Sequence, residues 1–233
     1  MTAIFKREFK AYFSTPIGYI VLAAFYFFLG FFFTLIYSMG APEVEMVVTA
    51  MSSVVVFALP ILTMRIMSED RRQKVDQILL TAPVKLTSVV LGKFFAALAV
   101  FALGFLPTII FEIIVISHIQ VNILSFLYSL LGILLLGGAL IAIGMFISSL
   151  TESAVVSAIL TLVINILVLY ITNLTSMINI KWLANIINKA AFLTVFENFG
   201  ENIFSIADIV YFLTIITVFV FLSVRSLEKK RWS

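Results

Sequence analysis

Apolar residues in this chain come in long runs separated by short polar intervals, and the lengths of the runs dictate the first reading. A helix needs about 20 apolar residues to cross the hydrocarbon core of a bilayer. Six stretches are read as such spans: 17–39, 46–67, 90–117, 123–150, 155–174 and 209–224. Pro60 stands inside the second, so a kink is expected there, and the third is interrupted by Pro107 and Glu112. On the fourth, Gly137, Gly144 and Ser148 fall at i, i+7 and i+11, a small-residue face suited to close approach of another helix.

The intervals carry patterns of their own. In residues 1–15, Phe5, Phe9, Tyr12 and Phe13 recur at helical spacing opposite Lys6, Arg7 and Lys10. One aromatic and one basic face describe an interfacial helix on an anionic membrane surface, and Phe5, Lys6, Arg7, Phe9 and Lys10 are its candidate contacts. A cleaved secretory signal is the competing reading, but the apolar run after Pro16 is too long for one and lacks a small-residue cleavage site. Between the second and third spans, residues 69–80 place Val75, Ile78 and Leu79 at i, i+3 and i+4 among charges, until Pro83 ends the helix. This predicts a short amphipathic coupling helix in the cytoplasm, gripped by a partner through Glu69, Asp70, Arg71, Arg72, Val75, Asp76, Ile78 and Leu79; the plainer reading is a solvated loop. Residues 175–207 mix Trp182, lysines and glutamates with apolar groups at helical spacing, including Val195, Phe196 and Phe199. Two short helices at the outer face are expected there.

Composition raises this from pattern to class. Hydrophobic residues make up 63% and charged residues 12%, where soluble domains have roughly 45–50% and 25%; mean hydropathy is +1.20. The expected fold is therefore an all-α membrane protein, one membrane domain of six transmembrane helices over 1–233, with the interfacial, coupling and outer-face helices described above. The absence of cysteine excludes disulfides, thiolate chemistry and Cys-based metal sites. Basic residues flank spans and form no continuous patch, so nucleic acid is not an expected partner. Of the 15 Lys and Arg residues, only Lys181 and Lys189 fall on one side of a six-span topology, leaving 15 − 2 = 13 on the other. By the positive-inside rule both termini and the coupling helix face the cytoplasm, and the location is the cell's inner (plasma) membrane.

Candidate chemistry is sparse. Glu112 is an ionisable group within a span, which marks either a polar partner near the outer rim or a substrate path; Phe196 and Phe199 are the other candidates for that path or for an outer gate. His118 is the lone histidine and has no metal-ligand pattern around it. An intramembrane hydrolase would need Glu69, Asp70, Glu112 and His118 together, yet the topology holds the two pairs about 30 Å apart. An ion-coupled transporter would be expected to carry several ionisable groups near the midplane, and the chain offers mainly Glu112. No phosphate-binding G-x-x-x-x-G-K-[ST] loop occurs, so ATP hydrolysis is not expected of this chain itself.

Three stretches carry a family likeness. Lys6, Arg7, Glu8, Phe9, Tyr12, Phe13, Ser14, Thr15 and Pro16 open the chain, and Leu59, Pro60, Met64, Arg65, Glu69, Asp70, Arg71, Arg72, Ile78, Leu79, Leu80, Thr81, Pro83, Leu91, Gly92 and Lys93 form its centre. Phe196, Glu197, Phe199, Gly200, Ile203 and Asp208 precede the last span. Together they resemble the permease subunits of type-two ATP-binding-cassette exporters, particularly the subgroup associated with gliding motility and nitrous-oxide-reductase maturation. One departure is Lys74, Val75 and Asp76, where many members carry Gly-Thr-Glu. The resemblance implies a half-transporter that dimerises with a second copy or a related permease and docks two copies of an ABC ATPase. ATP and Mg would then sit on that partner and no cofactor on this chain. The aromatic and aliphatic spans add the expectation of an amphiphilic cargo, lipid-like or peptide.

Overall fold

The structure is a computed structural model that describes residues 1–40, 43–72, 85–118, 122–175, 191–200, 203 and 205–231. In chain order its helices are α1 (Thr2–Ser14), α2 (Pro16–Ser38), α3 (Val44–Thr63), α4 (Ser68–Arg72), α5 (Leu86–Gly104), α6 (Leu106–Ile116), α7 (Ile123–Leu150), α8 (Ala154–Thr175), α9 (Phe192–Gly200) and α10 (Ile206–Arg231). Six segments among the described residues are long and apolar enough to cross a membrane: Pro16–Ser38, Val44–Arg72, Leu86–Ile116, Ile123–Leu150, Ala154–Thr172 and Ile206–Lys229. The all-α membrane architecture expected from the apolar runs is the one observed.

The third span is two helices, and proline chemistry explains the break. Pro107 has no N–H to bond the Leu103 carbonyl, and its ring crowds that carbonyl; the chain turns at Phe105 and restarts as α6. The Tyr26 hydroxyl of α2 donates to the freed Leu103 carbonyl at 3.2 Å, so a polar group that lipid could not satisfy has a partner. Pro60 is accommodated inside α3, which stops one turn later at Thr63. Four turn residues then lead into α4, and residues 73–84 lie outside the described part of the chain. The predicted coupling helix is thus observed over its first turn only, and Val75, Asp76, Ile78 and Leu79 fall outside the described residues, as do Lys181, Trp182 and Lys189 in the predicted outer segment.

α7 is the axis of the molecule. It is the most buried span and packs against α3, α5, α8, α9 and α10. Its glycines are where large side chains enter: a Cβ at Gly137 would overlap the Phe101 ring, one at Gly132 the Phe199 side chain, and one at Gly144 the Thr63 side chain. Gly104 of α5 is filled in the same way by Phe25, so Phe25, Phe101 and Phe105 pack with ring centroids 5.1–5.7 Å apart. Such knob-in-hole contacts hold spans together where lipid is as apolar as the side chains and burial supplies little drive. The outward faces of α2, α6, α8 and α10 expose Phe27, Phe31, Ile110, Ile113, Ile159 and Phe221, a surface made for hydrocarbon.

Candidate functional site

Four segments meet where α1, α4 and the C-terminal end of α7 gather, here called the basic end, and a buried lysine joins three of them. Lys93, on the second turn of α5, is 2% exposed. Its Nζ lies 2.8 Å from Asp70 Oδ2 of α4, 3.2 Å from Glu8 Oε2 of α1 and 2.8 Å from the Ile66 carbonyl in the turn before α4. An ammonium has three N–H donors, and all three are used. The second Glu8 oxygen, Oε1, accepts from the Arg7 guanidinium, so charges alternate along Arg7, Glu8, Lys93 and Asp70. Burial of one charge costs several kcal/mol unless it is paired and hydrogen-bonded; here the pairing is complete, and it spans 85 residues of sequence.

Each arm of the junction is set by local structure. Gly92 lets α1 approach α5, because a Cβ there would strike the Ile4 side chain, and this brings Glu8 over Lys93. The Tyr12 hydroxyl, one turn further, donates to the Leu62 carbonyl of α3 at 3.2 Å. Loss of water around it, reinforced by the Glu8 carboxylate, pushes its pKa well above the ordinary tyrosine value, so it remains a donor. The start of α4 is capped from another helix. Ser148 Oγ of α7 accepts from the Met67 and Ser68 N–H groups at 3.1 and 3.0 Å and donates to the Met64 carbonyl at 3.2 Å, satisfying backbone groups that a helix start leaves open. The short helix is therefore tied to α1 and α5 by charge and to α7 by a hydroxyl.

The residues singled out in the sequence divide between the two ends. Glu69 and Asp70 lie in this region, with Arg65 Nε 3.9 Å from Glu69 Oε2 on an exposed face. Arg71 Nε is buried without a hydrogen-bond partner, and Arg72 lines a groove with Arg65, Glu69 and Glu152. On α1 the Phe5 and Phe9 rings stack at 5.8 Å and Phe13 packs tilted against Phe9 at 5.2 Å, while Lys6, Arg7 and Lys10 are exposed. Glu112 lies towards the opposite end, 4% exposed, with its Oε1 unpartnered. His118 caps the end of α6 with Nδ1 2.9 Å from the Ile114 carbonyl. Phe196 and Phe199 are fully buried on α9, which is pinned to α7: Tyr128 stacks on Phe199 at 4.6 Å, Ser129 donates to the Phe199 carbonyl, and Asn198 donates to Asp208 of α10. Glu112 is thus not brought together with Glu69 and Asp70. Among the described residues no cluster of three or more His, Cys, Asp or Glu could hold a metal.

Sequence reasoning passed over Glu8, Lys93 and Ser148 as site residues, although the first two sit in the stretches that carry the family likeness. A signal existed: Lys93 is a lone charge inside the span read as 90–117, three residues after Val90 and directly before a run of Phe, Ala, Leu and Val, a place where an ionised side chain demands a partner. The family model described as ABC-2 type transporter matches residues 1–188, which takes in α1 to α8. A search of curated proteins finds no match to the chain.

Proposed function

Because the chain belongs to the ABC-2 type transporter family, as a multi-pass transport subunit, we propose that it is the membrane half of an ATP-driven exporter and that the Lys93 junction carries an ATPase's stroke into its spans. The observation that carries this reading is the saturated ammonium: a displacement of α4 moves Asp70, and Lys93 has no spare donor to take up slack before α5 and α1 follow. Ser148 adds α7 to the same linkage. The partner is an ABC ATPase that supplies ATP and Mg, two copies against two permeases, and it grips the segment that α4 begins through the apolar residues Val75, Ile78 and Leu79. The basic end then faces the cytoplasm of the inner membrane, as the placement of Lys and Arg favours, and the cargo is an amphiphile. Within that family, the motifs of this chain resemble those of the gliding-motility and nitrous-oxide-reductase-maturation subgroup.

The test is isolation of the chain from its native membrane with whatever ATPase accompanies it. An ABC ATPase should co-isolate, and Ile78→Asp or Leu79→Asp should abolish that by placing a charge in a desolvated groove. Asp70→Asn leaves Lys93 paired to Glu8; it should keep the complex together while reducing permease-stimulated ATP hydrolysis severalfold. A parent chain that never co-isolates with an ABC ATPase sinks the exporter reading, whereas parent-like stimulation in Asp70→Asn sinks only the role of the junction. Isolation without an ATPase is also the outcome that an ion-coupled transporter or a hydrolase would give.

A further inference from the structure

Hydroxyl side chains on the spans mostly satisfy themselves. Thr34, Thr49, Thr63, Thr214, Thr217 and Ser223 each donate to the carbonyl four residues earlier at 2.7–2.9 Å, the usual way to carry a hydroxyl in hydrocarbon. α8 departs from this habit. Ser157, Thr161 and Asn165 are fully buried, yet Ser157 Oγ, Thr161 Oγ1 and both amide atoms of Asn165 have no hydrogen-bond partner. Their spacing of four places them on one stripe, continued by buried Leu169, while Val155, Val156, Ile159, Val163, Ile166 and Leu167 cover the other faces and are exposed. Over residues 155–169 the helix thus presents apolar groups outward and a polar stripe inward.

The stripe faces a seam between α3, α7 and α8. Gly144 of α7 lies between Thr63 of α3 and Thr161, so close that a Cβ there would meet both side chains. At its lower end, Ser157 is one turn beyond Ser153, and its N–H bonds the Ser153 carbonyl. Ser153 lines a solvent-open groove with Arg65, Arg72 and Glu152, polar enough to hold water. Asn165 lies about 12 Å further in, eight residues at about 1.5 Å each. A buried polar group without a partner is costly on the scale of a whole protein's stability, and this stripe holds three in succession leading away from a wet groove.

We propose that the Ser157–Thr161–Asn165 face of α8, sealed from water in this structure, opens as a recess onto the Arg72–Glu152 groove and there binds water and other small neutral hydrogen-bonding groups within the span. Its own side chains carry no ionisable group, and the charges stand at the mouth, so the recess takes neutral hydrogen-bonding groups and not ions. It also makes the α3–α8 contact a seam that parts at low cost, because water replaces each lost contact on the polar stripe. The inference goes beyond the exporter reading and does not depend on it.

The cysteine-free chain makes a direct test available. Ser157→Cys, Thr161→Cys and Asn165→Cys are made one at a time, with Ile159→Cys and Val163→Cys as lipid-facing controls, and each purified chain is treated with methyl methanethiosulfonate, a small neutral reagent whose thiosulfonate sulfur the thiolate attacks, forming a methyl disulfide and releasing methanesulfinate. Thiolate forms where water reaches, so the three recess positions should react roughly tenfold or more faster than the controls, in the order 157, 161, 165. Ser157→Cys and Thr161→Cys are close in volume to the parent residues and keep the test decisive if Asn165→Cys does not fold. Recess rates no faster than the controls, or rates that rise from 157 towards 165, overturn the proposal.

Discussion

Lys93 shows how one residue can hold an end of a membrane bundle together. Its ammonium is withdrawn from water and paired with two carboxylates from two other helices, with a backbone carbonyl filling the third direction and Arg7 on Glu8 balancing the second negative charge. Removing one member of a buried ion cluster leaves the others uncompensated and costs about 3–5 kcal/mol. Lys93→Met, similar in length and apolar, should therefore lower the thermal stability of the purified chain by that amount, read from its unfolding in detergent. Arg65→Ala is the contrast, because the Arg65–Glu69 contact is long and exposed at both partners; such a pair contributes less than about 1 kcal/mol. Equal losses in the two variants would mean that the junction is not a stabilising element. Ionic strength separates them as well, since salt screens the exposed pair more than the buried one.

At the scale of elements, α7 is organised by what its small residues admit. Gly132, Gly137 and Gly144 receive Phe199, Phe101 and Thr63 respectively, and Ser148 closes the row by capping α4. The small-residue face that the sequence offers for helix contact is used inside the protomer, against α3, α5, α8 and α9. Gly144→Leu should accordingly disrupt the α3–α7–α8 packing of a single chain, lowering its thermal stability by about 1–3 kcal/mol as overpacking does. Measured in detergent at a dilution where the protein is monomeric, a loss that persists confirms a contact within the chain; a variant as stable as the parent there would move Gly144 to an interface between chains. The Pro107 break belongs to this scale too, because a carbonyl freed by proline was rescued by Tyr26 from a different helix.

At the scale of the whole molecule, the basic groups collect at one end: Lys6, Arg7 and Lys10 on α1, Arg71 and Arg72 on α4, Arg225 and Lys229 on α10. With that end in the cytoplasm, single cysteines at Glu43 and Lys189 should be labelled by a membrane-impermeant maleimide from outside intact cells, and one at Lys74 only after the membrane is opened. Labelling of position 74 in intact cells reverses the orientation and with it the side on which an ATPase could dock. Lys74 and Lys189 stand outside the described residues, so this experiment tests the chain and not the packing.

Particular residues show which parts of this molecule were readable in advance. The six spans were, because a backbone in hydrocarbon must satisfy itself as helix, and a run of apolar residues of bilayer length leaves no alternative; the break at Pro107 was too, because its cause is local. The paired faces of α1 followed from spacing alone. The partner of Glu8 did not, since Lys93 is 85 residues away and meets it only because Gly92 admits Ile4 and brings α1 down onto α5. Nor did the direction of the Ser157, Thr161 and Asn165 stripe, whose period is plain but whose inward orientation depends on where α3 and α7 lie. Hydropathy and proline act along the chain and can be read there. Charge pairing, trans capping and the filling of glycine notches act between helices, and the packed bundle decides them.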